Sequence, residues 1–179
     1  MTAAAKVYGD ALYELARSEG LTDTLWQEIS ALRDSFAAEP DVLRFLTASG
    51  ISKTERCGLL ESCFRGRVHP YVLHFLMLLT QRGHIRQFPE CCAVYRTRYD
   101  GDCGILRATA VTAAALRPAQ TERMTQKLAA LTGKTVVLSQ RTDPALLGGV
   151  RLELDGRQLD DTLKHRLDTL RETLKNTVL

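Results

Sequence analysis

The apolar residues of this chain change their spacing once, near residue 100, and that change constrains the fold more than any other feature. Before it the spacing is helical, because residues three and four apart share one face of a helix. Tyr8, Leu12, Leu15 and Ala16 form one such stripe, and Leu21, Leu25, Ile29, Leu32 and Phe36 another. After Asp100-Gly101 the runs Ile105 to Val111, Thr135 to Leu138 and Val150 to Leu154 read as strands, the last alternating Val150, Leu152 and Leu154 with Arg151 and Glu153. The sequence therefore predicts a helical region over residues 1–102, followed by a small α/β domain over 103–179.

Local punctuation refines the helical region. Gly20 suits a helix C-terminus, where a left-handed residue carries no Cβ penalty. Glu39-Pro40 ends the second helix, since the residue before proline is pushed out of the helical range. A short helix is expected around Val42 to Leu46. Ser52 with Glu55 three residues later has the spacing of a capping box and starts a helix to about Phe64. Pro70 fits the first turn of the next helix, and Tyr71 to Leu79, apolar on nearly every side, reads as a helix surrounded by others. Ile85, Phe88, Cys92, Tyr95 and Tyr99 continue a helical stripe, provided Pro89 lies in its first turn.

In the second region, Pro118 with Met124, Leu128 and Leu131 marks a helix between the first two strands, and Asp155-Gly156 is a hairpin signal. Leu163, Leu167, Leu170 and Leu174 form a closing helical stripe.

Composition excludes several function classes. No apolar run approaches the roughly 20 residues of a membrane span, and Asp10, Glu14 and Glu19 argue against a secretory leader at the start. The five cysteines, at 57, 63, 91, 92 and 103, contain no C-x-x-C pair and read as reduced, mostly buried thiols, not as disulfide or zinc ligands. Net charge is only +3, but six arginines stand against one acid, Glu90, between Arg65 and Arg98. They fit a solvated helix face better than a nucleic-acid surface, since no exposed aromatics or binding motif accompany them.

Catalytic signals are weak. Gly133-Lys134-Thr135 imitates the tail of a phosphate-binding loop, but Leu128 occupies the position of the required first glycine and the element order is reversed. Gly133 reads as a helix cap. Asp160-Asp161 reads as N-terminal capping of the last helix. A small enzyme using Asp160, Asp161 or His165 remains an alternative, as does a nucleic-acid module using the arginines. No cofactor is expected.

Taken in order, the segments resemble the delta subunit family of F-type ATP synthases, whose mitochondrial relative is the oligomycin-sensitivity-conferring protein. The most specific stretch runs from Asp143-Pro144-Ala145-Leu146-Leu147-Gly148-Gly149 through Asp160-Asp161-Thr162 to Arg166-Leu167 and Leu170, similar to D-P-x-L-x-G-G, I-D-x-S and R-L-x-x-L. Tyr8-Gly9-Asp10-Ala11-Leu12 resembles Y-A-x-A-L, and Phe75 to Leu79 resembles N-F-L-x-L-L. Gly9, His74 and Thr162 depart from the usual alanine, asparagine and serine. The glycine costs roughly 1 kcal/mol of helix propensity.

The resemblance implies a mainly α protein: a six-helix N-terminal bundle that binds the N-terminal helix of an alpha subunit, and a small α/β domain that meets the b-type peripheral stalk. It implies a non-catalytic stator role, with membrane association only through the complex, at the cytoplasmic face of a bacterial plasma membrane. Tyr8, Ala11, Leu12 and Leu15 of the first helix and Val72, Leu76 and Leu79 of the fifth are the candidate groove residues. Trp26 is a further candidate near them.

Overall fold

A computed structural model describes residues 2–48, 50–146, 149–154 and 157–162, the last segment by its backbone. It separates into two compact units, Met1–Tyr99 and Asp100–Leu179, and the division falls within the last turn of the sixth helix.

The first unit contains α1 (Ala3–Ser18), α2 (Thr22–Ala38), α3 (Pro40–Thr47), α4 (Lys53–Phe64), α5 (Pro70–Arg82) and, after a 3-10 turn at Ile85–Gln87, α6 (Phe88–Asp102). Most boundaries follow the chemistry read from the sequence. Gly20, at φ 68°, turns the chain after α1, and the Leu21 amide donates to the Ala16 carbonyl at 2.8 Å. Ser52 and Glu55 form both halves of a capping box at the start of α4, and the Ser52 backbone amide donating to its carboxylate holds Glu55 below the usual carboxylate range. Pro40 and Pro70 occupy first turns. Pro89 does the same in α6, which runs through Asp100-Gly101 to Asp102.

One core holds these helices together. Val72, Leu76 and Leu79 of α5 are fully buried, as are Leu25, Leu46, Phe88 and Tyr95. α5 is the spine that its nearly all-apolar sequence calls for. On α1 the buried set is Ala5, Gly9, Leu12, Tyr13 and Ala16, not the expected Tyr8-Leu12-Leu15-Ala16 stripe. The core side is turned toward the smaller residues because α6 passes too close for larger ones.

The second unit is a four-stranded sheet in the order β2-β1-β3-β4, with β1 at Ile105–Thr112, β2 at Thr135–Thr142, β3 at Gly149–Leu154 and β4 at Arg157–Thr162. α7 (Pro118–Thr132) connects the parallel pair β1 and β2, while β3 runs antiparallel to both β1 and β4. Leu106, Ala108, Ala110 and Thr112 are buried at alternate positions of β1, and Leu128 of α7 is buried. Gly133 caps α7 at φ 67°, and Gly149 opens β3 at φ 89°, a conformation that suits glycine alone. Asp100, itself 8% exposed, accepts two hydrogen bonds from Arg107 of β1, at 2.6 and 3.1 Å.

One sequence expectation changes here. Asp160 and Asp161 lie in β4, opposite Arg151 and Val150 in the ladder, and so do not cap a helix. Pairing with β3 overrides their local capping preference. The turn at Asp155-Gly156 and the closing leucine stripe lie outside the described residues.

Candidate interaction surface

α1 is fastened to α6 at three levels. At the start, the Thr2 side chain caps the helix by accepting from the Ala5 amide, and the Thr2 amide donates to Glu90 at 2.6 Å, which holds that carboxyl below its ordinary range. Two turns further on, Gly9 lies against α6 so closely that a Cβ there would stand 2.7 Å from the Cys91 carbonyl oxygen and 2.8 Å from the Val94 Cβ. Arg98 then donates to Asp10 at 2.9 Å. The glycine that costs α1 propensity is therefore what lets the two backbones meet.

The opposite side of α1 is left apolar and open. Val7 is 66% exposed and Leu15 39%, with exposed Ala11 between them, so spacings of four residues make a continuous outer stripe. Tyr8, half-buried beside that stripe, lies 5.8 Å from the His84 ring just beyond the end of α5. On α5, Leu78 is 39% exposed and His74 is exposed. Val7 and Leu78 were not among the residues selected from sequence, although the 7-11-15 spacing carried the signal.

The candidate groove residues separate into two groups. Leu12, Val72, Leu76 and Leu79 sit together in the core, with exposures of 5% or less, and Tyr8 and Trp26 pack against that cluster. Ala11 and Leu15 face outward. Trp26 is engaged by its own chain: it stacks 6.1 Å from Tyr95 and 6.1 Å from Tyr99, with the Arg96 guanidinium 5.8 Å from its ring. The Tyr95 hydroxyl donates to the Thr22 carbonyl at 2.9 Å, and the Tyr99 hydroxyl to Asp23. This aromatic stack clasps the start of α2 to α6.

The arginine-rich segment is dispersed onto separate neighbours. Arg65 pairs with Glu61 at 3.3 Å, Arg86 donates to Thr47, Arg96 covers Trp26 and Arg98 holds Asp10. Of the cysteines, Cys57, Cys91 and Cys92 are buried, while Cys63 and Cys103 are exposed. Burial pushes the Cys91 thiol up to about 11 and that of Cys92 to about 12, so both stay protonated at neutral pH. Among the described residues, no three His, Cys, Asp or Glu side chains gather into a metal site, and no helix is long and apolar enough to cross a membrane.

An uncharged apolar stripe on a firmly held helix is the equipment of a protein that engages other proteins, and the comparisons agree with that class. The family described as ATP synthase delta (OSCP) subunit matches residues 4–174, and the chain belongs to it. The ATP synthase subunit delta of Solidesulfovibrio magneticus is 32% identical over 175 residues, covering 96% of this chain and 95% of the relative. That of Lacticaseibacillus casei is 31% identical over 168 residues, covering 93% and 92%. Among solved structures, a chain in the cryo-EM structure of the Toxoplasma gondii mitochondrial ATP synthase hexamer shares the fold, with a TM-score of 0.74 at 15% identity over 97% of this chain and 98% of the other. The protein is thus a subunit of an F-type ATP synthase.

Proposed function

We propose that this subunit is a non-catalytic stator element that ties the catalytic alpha/beta head to the peripheral stalk and resists the torque of the rotor during ATP synthesis. In this reading residues 1–102 fold as a six-helix bundle that takes the N-terminal helix of an alpha subunit, and residues 103–179 meet the b-type stalk subunits. Its place is peripheral to the energy-transducing membrane, at the cytoplasmic face in a bacterium. Two units with separate cores suit a part that must grip two bodies at once, because linked contacts hold far better than either alone.

The outer stripe of α1 carries the reading. Val7, Ala11 and Leu15 offer the row of shallow apolar contacts that an amphipathic partner helix needs, with Tyr8 at its edge and the buried Leu12, Val72, Leu76 and Leu79 as its floor. Calorimetric titration with a peptide of the alpha subunit's N-terminal helix tests it. Saturable one-to-one binding is expected, and Leu15→Asp, on an exposed position, should weaken it about tenfold or more while leaving the fold intact. Equal binding by Leu15→Asp and the parent would sink the α1 surface.

A further inference from the structure

A second apolar surface lies on a different part of the same unit. The end of α2, α3 and the second half of α4 wall a groove of about 450 Å³. Its sides include Phe36, Phe45, Leu59 and Phe64, with Cys63 at the wall. Phe45 is 40% exposed and Leu59 39%. α3 shows the anomaly most clearly: of its four apolar side chains, Val42, Leu43, Phe45 and Leu46, only Leu46 is buried. A helix of eight residues that leaves three apolar side chains partly in water is incompletely packed among the described residues.

The charge around the groove is one-sided. Among the described residues its two ionisable carboxylates are Glu39 and Asp41, and no basic residue lines it. The last turn of α2, which ends at the groove, also contains no basic residue to answer the partial negative charge of its free carbonyls. Asp41 has only an exposed ion pair with Arg44, both side chains at least 80% in solvent, which holds its charge weakly.

We propose that this groove docks a basic amphipathic helical segment of another protein. Two apolar side chains one turn apart would fill the space between Phe45 and Leu59, and a Lys or Arg beside them would meet Glu39 and the end of α2. The inference stands independently of the role proposed for α1, since no residue is shared between the two surfaces.

The thiols supply the test. Cys63 lines the groove and is exposed, while exposed Cys103 lies in the other unit and serves as the internal control. The probe is an amphipathic peptide of about 16 residues with leucines at helical spacing on one face and lysines on the other. At ten times its Kd it should slow alkylation of Cys63 in the full chain by roughly tenfold and leave Cys103 unchanged. Glu39→Lys and, separately, Leu59→Ser should each weaken binding about tenfold, and Leu15→Asp should leave it unaltered. Glu39 and Leu59 are exposed, so both variants keep the fold. Unchanged Cys63 reactivity under saturating peptide overturns the proposal. So does equal protection by the same peptide with glutamate in place of lysine, or protection by a small neutral alcohol that Glu39→Lys does not affect.

Discussion

The two sides of the helical unit are packed to opposite standards. Where α1 meets α6, there is no room for a single added methyl group at Gly9. Where α3 and α4 face each other, a groove of about 450 Å³ stays open beside Phe45 and Leu59. Close packing fixes the position of α1 and its outer stripe without help from a partner. The loosely filled side holds apolar surface that the helices around it leave partly in water. Rigidity and vacancy within one small core mark a frame and a receptive face respectively.

Thiol chemistry should break or sharpen this contrast most strongly. Cys91 is buried on α6 with its carbonyl oxygen against Gly9, and Cys92 is buried with its thiol on the Ile29 carbonyl of α2, while Cys63 lines the open groove. At pH 8 the raised values of about 11 and 12 leave so little thiolate at Cys91 and Cys92 that native-state alkylation should run at least roughly a hundredfold slower there than at Cys63. Mass spectrometry of timed samples gives the rates, and comparable rates would mean that the core around α6 opens readily. The same thiols set a pH limit. Because their folded values are raised, the stability they confer is intact below the ordinary thiol value and is lost as pH rises through about 11 and 12.

Gly9→Ala comes next. Propensity alone would add about 1 kcal/mol, yet the contacts at 2.7 and 2.8 Å should make the variant about 2 kcal/mol less stable in urea unfolding. Val94→Ala in the same chain should recover part of the loss, and a stabilised Gly9→Ala protein would refute the tight seam. Tyr95→Phe, which removes the hydroxyl that donates to the Thr22 carbonyl, should cost about 1 kcal/mol. Smallest of all, Phe45→Leu on the open side, which keeps most of the apolar contact, should change stability by only about 0.5 kcal/mol or less, since the side chain already meets water.

Local chemistry made much of this readable in advance. Ser52 and Glu55, Gly20, Gly133 and the apolar run of α5 each act through their immediate neighbours in sequence, so their roles follow from spacing. The roles of Gly9, Asp160 and Trp26 depend on residues about 70 to 85 positions away or on a partner strand, and sequence spacing does not report those meetings. The candidate groove shows the same limit. A helical stripe identifies Leu12, Val72, Leu76 and Leu79 as apolar and aligned, but only packing decides that these four sit inside while Ala11 and Leu15 remain outside.

The stack around Trp26 has an optical consequence. As the sole tryptophan, set between Tyr95 and Tyr99, it is the natural acceptor for excitation absorbed by those two rings. Its emission is a gauge of the α2–α6 clasp: energy transfer from the tyrosines will collapse when α2 swings away from α6.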